Sequence, residues 1–306
     1  MKKKIIIFGC QQIALDFIRF IIGKDDIEIS LVITYELQLD KTYGYESVLE
    51  ESTKLGLEVI SPARITKTLI DRIKLIKPHM IFSVYYRKIL PVSLLKIPQF
   101  GCVNIHPSLL PFYRGPVPTA WAIQNGERFF GLTIHYMDEG IDTGEILVQE
   151  KHQIYDEETG FELYTRGMTL GAKLLGVNFD SIINQKLTPV SQKHLGSYYG
   201  KKDGQYRIIW KNKTEDIRNM IRVHAKPYNP AETKLFNRYI LINRAEAIYN
   251  TKYALQGAGK IIDVVEGDKL IVSCADGFLK LIDYEVFPKL TLEEKKIYFK
   301  LGNQFD

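Results

Sequence analysis

The stretch Ile5-Ile6-Ile7-Phe8-Gly9-Cys10-Gln11-Gln12-Ile13-Ala14-Leu15-Asp16-Phe17-Ile18 changes its hydrophobic period at Gly9. Before the glycine every position is apolar, as in a strand whose two faces are both covered. After it, Ala14, Phe17, Ile18 and Ile21 fall on one side of a helix that Gly23 ends. The alternation continues outward: a strand over 29–33, a helix over 45–55, a short strand at 59–60 before Pro62. A helix over 65–76 then stops at Lys77-Pro78, and another buried strand covers 80–84. A short helix closing over 94–97 leads to a strand over 102–105. Strand and helix in turn, with apolar central strands, predict an α/β fold: a Rossmann-like, mostly parallel sheet with helices on both faces.

Past residue 106 the pattern loosens. A long loop over 106–118 precedes a helix over 119–125, and strands over 129–137 and 146–151 enclose the loop 138–144. A long amphipathic helix is expected over 157–183, with Leu163, Met168, Leu174, Leu175 and Phe179 inward. The polar, turn-rich stretch 197–204 marks a boundary. Beyond it come a helix over 215–223 and short strands over 260–265, 270–274 and 278–282, parted by Gly267-Asp268 and Asp276-Gly277 turns. Two domains are expected, 1–200 and a smaller β-rich one over 201–306.

The hydrophobic fraction of 45% and charged fraction of 25% are those of a soluble globular chain, and no apolar run is long enough to span a bilayer. Only four apolar residues follow Met1-Lys2-Lys3-Lys4, too few for a secretory signal. Cys10, Cys102 and Cys274 are odd in number and lack metal spacing. A cytoplasmic protein with reduced thiols, no metal and no membrane partner is the expectation. The net charge of +5 comes from Lys and Arg spread along the chain. That suits anionic small substrates and lacks the concentrated basic patch of a nucleic-acid binder, so no nucleic-acid partner is expected.

The chemistry concentrates in two loops. Asn104 and His106 stand two apart on a strand, so their side chains share a face, and Pro107 stiffens the turn that follows. Asp142 lies in Asp138-Glu139-Gly140-Ile141-Asp142-Thr143-Gly144. An amide, an imidazole and a carboxylate are what acyl transfer needs: a donor for developing negative charge, a proton acceptor and a partner for that acceptor. Plainer roles exist for each, namely a His-Pro turn with an asparagine satisfying backbone, and a hairpin loop turned by Asp142. His135, in the alternating run Thr133-Ile134-His135-Tyr136, reads as a strand residue facing solvent or sheet. Gly9 lacks the further glycines of a dinucleotide fingerprint, although Gln11 sits at a strand's carboxyl end, where such sheets bind ligands. Tyr86, Arg87 and Lys88 read either as a cleft wall for a flat ligand or as a packing tyrosine with snorkelling cations. Arg114 reads as an anion clamp or a loop salt bridge.

Asn104-Ile105-His106-Pro107-Ser108-Leu109-Leu110-Pro111 with Tyr113-Arg114-Gly115, followed by Met137 to Gly144, resembles the formyltransferase family that uses 10-formyltetrahydrofolate. The resemblance implies a triad of Asn104, His106 and Asp142. It implies folate-facing loops at Ser108, Leu109, Leu110 and Pro111 and at Asp138, Glu139, Gly140 and Ile141, and more loosely at Tyr86, Arg87 and Lys88. It runs almost end to end, the stretch 260–280 being similar to the OB-like C-terminal domain of several members. The extra hundred or so residues argue against the single-domain glycinamide ribonucleotide branch. The methionyl-tRNA branch carries a basic insertion after the second strand, where this chain holds the mildly acidic stretch from Tyr35 to Glu46, a poor grip for phosphate. The runs 83–87, 199–210 and 221–232 look most like the branch that formylates amino sugars on nucleotides. Gln11, Arg114, Arg222, Tyr228 and Asn229 are then the acceptor-contacting candidates.

The expectation is a sugar nucleotide N-formyltransferase that moves the formyl group of 10-formyltetrahydrofolate to a dTDP- or UDP-linked 4-amino sugar, for surface polysaccharide such as lipopolysaccharide O-antigen. The Asn104 amide and His106 would hold the oxyanion, His106 would handle the proton, and Asp142 would pair with its imidazole. The division of proton transfer between His106 and Asp142 stays open. A methionyl-tRNA formyltransferase is the alternative. A non-catalytic nucleotide-binding or scaffold protein retaining the fold is another, of a different class. A homodimer is compatible with the sequence, which shows no interface signal of its own.

Overall fold

The computed structural model of the protein describes residues 2–35, 43–200, 206–249 and 253–306. Strand β1 (Lys3–Gly9) runs between β2 (Ile27–Ile33) and β4 (Met80–Val84), parallel to both. Ile5, Ile6, Ile7 and Phe8 are fully buried, so the unbroken apolar run has its physical cause in two covered faces. β3 (Val59–Ile60) and β5 (Cys102–His106) extend the parallel set. β6 (Phe129–Tyr136) pairs antiparallel with β5, and β7 (Ile146–Gln153) completes the order β3-β2-β1-β4-β5-β6-β7. This is the Rossmann-like, mostly parallel sheet that the alternating pattern predicts.

The helices are α1 (Gln11–Ile21), α2 (Val48–Lys54), α3 (Lys67–Ile76), α4 (Val92–Leu95), α5 (Pro118–Gln124) and α6 (Gly160–Ile183). Two of them start later than expected because side chains cap them. Ser47 accepts from the Glu50 N–H ahead of α2 and Thr66 from the Leu69 N–H ahead of α3, each cap contributing about 1 kcal/mol. Thr159 and Glu162 form a reciprocal box before α6. Alternate residues of the sheet serve opposite faces. Ile6, Phe8, Ile33 and Ile81 pack with Leu69 and Ile73 of α3 and Leu94 of α4. On the other face Phe82 meets Phe17 of α1 and Phe179 of α6, ring centroids 5.1 and 5.7 Å away.

Two compact units emerge. One comprises Met1–Pro118, Phe130–His152 and Thr165–Gly200; the other comprises Thr119–Phe129, Gln153–Tyr164 and Lys201–Asp306. Within the second, α7 (Thr214–His224), β8 (Ala231–Leu235), β9 (Arg238–Ile248), β10 (Ile261–Val265), β11 (Lys269–Ser273), β12 (Phe278–Phe287) and α8 (Leu292–Tyr298) appear in chain order. The strands make an antiparallel sheet in the order β10-β11-β12-β9-β8. Trp210, Ile217, Ile221, Ile240, Ile242, Leu270, Val272, Leu279 and Leu281 share its core. β8, β9 and α8 were not expected. Among the described residues no helix is long and apolar enough to cross a membrane.

Candidate active site

The register of β5 against β6 builds the site. Asn104 lies opposite His135, and His106 opposite Thr133. Because side chains alternate along each strand, all four project from one face of the pair. His106 is 5% exposed, and its Nε2 lies 2.8 Å from the Tyr113 carbonyl oxygen. A carbonyl only accepts, so Nε2 carries the hydrogen and the neutral ring keeps its lone pair on Nδ1. That nitrogen faces the Asp142 carboxylate, with Oδ2 3.5 Å away. A proton taken up at Nδ1 therefore arrives beside a negative charge.

Asp142 is held from three sides. Its backbone is left-handed (φ 55°), a conformation Asp tolerates better than most residues. Its Oδ2 accepts the Gly115 N–H at 2.8 Å, and its carbonyl accepts Gln192 Nε2 at 3.0 Å. Two residues on, Gly144 passes so close to Tyr136 that a Cβ would stand 1.9 Å from the carbonyl oxygen, so only glycine fits.

Gln192 escaped the sequence reading. It bonds the carbonyls of Asp142 and Gly144 through Nε2, and its Oε1 accepts from Arg114 Nε and Nη2 at 3.2 and 2.7 Å. The Arg114 Nη1 donates to the Leu195 carbonyl at 3.0 Å. Arg114 thus braces the Asp142 loop. No local pattern marks Gln192, which lies 50 positions from its partner.

The loop Ser108, Leu109, Leu110 and Pro111 is fastened to the sheet. Thr133 Oγ1 donates to the Ser108 carbonyl (2.6 Å) and accepts the Leu110 N–H, while Gln149 Nε2 donates to the Leu110 carbonyl (2.9 Å). Gly131 admits Leu109, whose Cγ would meet a Cβ at 2.4 Å. In the other loop, Asp138 Oδ1 accepts the Gly140 N–H and the Thr143 hydroxyl. Glu139 pairs with Lys96 at 3.6 Å, and Gly140 and Ile141 are exposed.

Other expected positions serve packing. Tyr86 is buried between Phe8 and Tyr35, with centroids 5.2 and 5.1 Å away, and burial pushes its hydroxyl up to about 12. Lys88 Nζ donates to the carbonyls of Pro62 and Ala63 and lies 4.8 Å from the Tyr35 ring centroid. Arg87 is exposed, its N–H donating to the Tyr35 hydroxyl. Gln11 is buried at the first turn of α1. In the second unit, Arg222 Nη1 donates to the carbonyls of Tyr155 and Asp156, and its Nε to Asn219. Its guanidinium fastens the 155–156 segment. Tyr228 meets Phe161 edge-on, and Asn229 is exposed. Residues 36–42, part of the stretch set against the basic insertion, and 201–205 lie outside the described residues.

His135, read from sequence as an ordinary strand residue, is 2% exposed within this cluster. Burial is the largest influence on it and pushes its imidazole down to about 4, against the opposing carboxylate of Asp142. The unfolded chain binds this proton near pH 6.5 and the folded chain only near pH 4. Between those values the unfolded state holds more protons, so stability falls as pH drops through the window, by up to about 1.4 kcal/mol per unit. Denaturant titrations between about pH 7 and about pH 4.5 check this. His135→Gln is expected to lose less stability on acidification than the parent, and an equal loss would count against the assignment.

A formyl transferase domain matches residues 26–177, and a formyl transferase C-terminal domain matches 201–297. The methionyl-tRNA formyltransferase of Alkaliphilus oremlandii is 34% identical over 288 residues, covering 91% of this chain and 90% of that protein. The one from Acetivibrio thermocellus is 30% identical over 310 residues, covering 98% and 97%. The crystal structure of WlaRD, a sugar 3N-formyl transferase in the presence of dTDP and 5-N-formyl-THF, matches with a TM-score of 0.69 at 23% identity, over 95% of this chain and 100% of that one. At that identity the structural match speaks for the fold. The expected sugar nucleotide acceptor is corrected, because many of the relatives at 30–34% identity over most of the chain are methionyl-tRNA formyltransferases. With both domains matched and relatives at least 30% identical along nearly its whole length, the chain belongs to the formyl transferase family of one-carbon transferases.

Proposed function

We propose that this protein transfers the formyl group of 10-formyltetrahydrofolate to the amine of methionyl-tRNA. The observation that carries the acceptor is identity of 30–34% to methionyl-tRNA formyltransferases across most of the chain. This acceptor replaces the expectation of no nucleic-acid partner; the net charge of +5, spread along the chain, attracts small and polymeric anions alike and does not carry the choice.

The donor supplies a formyl group activated on nitrogen, and the residues present suit it: a proton-accepting Nδ1 on His106 and an amide on Asn104 that keeps an unused N–H. The fastened Ser108–Pro111 loop and the exposed Asp138–Ile141 loop are the segments that would hold the folate. Asn104 meets the negative charge that develops on the formyl oxygen, a contribution of about 3–4 kcal/mol for a preorganised donor. His106 Nδ1 takes the proton of the attacking amine and Asp142 balances the charge that results; as the bond between the formyl carbon and the folate nitrogen breaks, that proton passes to the departing nitrogen, and tetrahydrofolate leaves.

A panel assay tests the acceptor. The protein and 10-formyltetrahydrofolate are incubated separately with methionyl-tRNA, dTDP-4-amino-4,6-dideoxyglucose and UDP-4-amino-arabinose, and products are read by mass spectrometry. Formylated methionyl-tRNA is expected, at a rate that falls as salt rises, with the sugars at background. Formylation of a sugar nucleotide while the tRNA stays unmodified would overturn the proposal.

A further inference from the structure

The hydrogen bonds around His135 leave one solution for where its protons sit. Its Nδ1 lies 2.7 Å from the Tyr136 carbonyl oxygen, which can only accept, so Nδ1 carries a hydrogen. The ring is neutral: burial outweighs the carboxylates of Asp142 and Asp138, and the His106 ring acts in the same direction as burial. A neutral ring protonated at Nδ1 has only a lone pair at Nε2. Asn104 Nδ2 stands 3.1 Å from that nitrogen. The NH2 end of an amide can bond to a lone pair and the carbonyl end cannot, so the amide has one permitted orientation. Turning it over would set oxygen lone pairs against the Nε2 lone pair, in a place with almost no water to relieve them.

We infer that His135 is a positioning residue of the transfer site, fixing through its Nε2 which end of the Asn104 amide meets the formyl oxygen. One N–H of Asn104 goes to His135, and the other N–H is left aimed by a bond on the same nitrogen. The neutral state of His135 has a second effect. Its Nε2 is 3.7 Å from Asp142 Oδ1, so a protonated ring would compete with His106 for the carboxylate, and a neutral one does not. This inference rests on the proposed formyl transfer, in which the oxygen that Asn104 meets is defined.

Two substitutions separate an acceptor at Nε2 from mere bulk. His135→Gln places a side-chain oxygen near the Nε2 position and can still accept from Asn104. His135→Phe fills the space with no acceptor. We expect His135→Phe to lower kcat about 10- to 100-fold with the KM for 10-formyltetrahydrofolate within about twofold, and His135→Gln to recover most of the loss. Unchanged kcat per folded molecule in His135→Phe, or equal loss in both variants, overturns the inference. Should His135→Phe fail to fold, nitrogen-15 NMR of the parent protein decides. At neutral pH a neutral ring with hydrogen on Nδ1 is expected, and a hydrogen on Nε2 overturns the inference. That spectrum needs no turnover, so an inactive parent protein would sink the proposed function while leaving the ring and amide orientation standing or falling on its own result.

Discussion

His106→Ala is expected to lower kcat for formyl transfer by about 10²- to 10⁴-fold, the range that a positioned acid–base group contributes. The assignment follows from the hydrogen-bond geometry. With Nε2–H donated to the Tyr113 carbonyl, Nδ1 is the nitrogen able to take a proton, and it faces Asp142 at 3.5 Å. Removing a buried ring also leaves that carbonyl without its donor, so part of the Ala effect is structural. His106→Gln separates the two: its amide can still donate to Tyr113 but provides no nitrogen lone pair of useful basicity. Single-turnover rates should therefore be low in both variants, with the Gln variant melting closer to the parent. Near-parental rates in the Ala variant would remove His106 from the chemistry.

Asp142→Asn should slow transfer almost as much, by up to about 10³-fold, while keeping the loop. Two opposite charges about 4 Å apart near a protein surface interact by roughly 4 kcal/mol, which is about three decades of rate if the pair forms only during reaction. Asparagine retains tolerance for the left-handed backbone and an oxygen for the Gly115 N–H, so the charge is what changes. Asp142→Ala loses those features too, and denaturant titration should show a further cost of about 1–3 kcal/mol. If Asp142→Asn turned over like the parent, the carboxylate would be a loop anchor and no more.

Much of this was legible because it depends on neighbours along the chain. The apolar run at Ile5–Phe8 and the helical spacing after it are one-dimensional patterns, and the central sheet follows from them. The two-residue step from Asn104 to His106 likewise fixes their common face. β9 was harder. Ile240 and Ile242 are buried, but so is the polar Asn243, while the equally apolar Leu241 between the isoleucines is only half-buried, so polarity does not follow burial along the strand. α8 is a two-turn helix without a fully buried face, started by the Thr291–Glu294 capping box rather than by an apolar stripe. The partners of Tyr86 and Arg222 were hidden for another reason: an aromatic or a cation has the same letter whatever it meets, including the protein's own core and carbonyls.

The sequence by itself determined the parallel sheet and named Asn104, His106 and Asp142 as candidates, since periodicity and two short motifs are local properties. Only the tertiary structure decided that His135 stands across from Asn104, and that Gln192 joins Arg114 to the Asp142 loop. Those relations depend on the register between strands and on hydrogen bonds between distant segments. A shift of one residue in β6 would turn His135 to the opposite face, and nothing within its own run of residues records which register the fold selects.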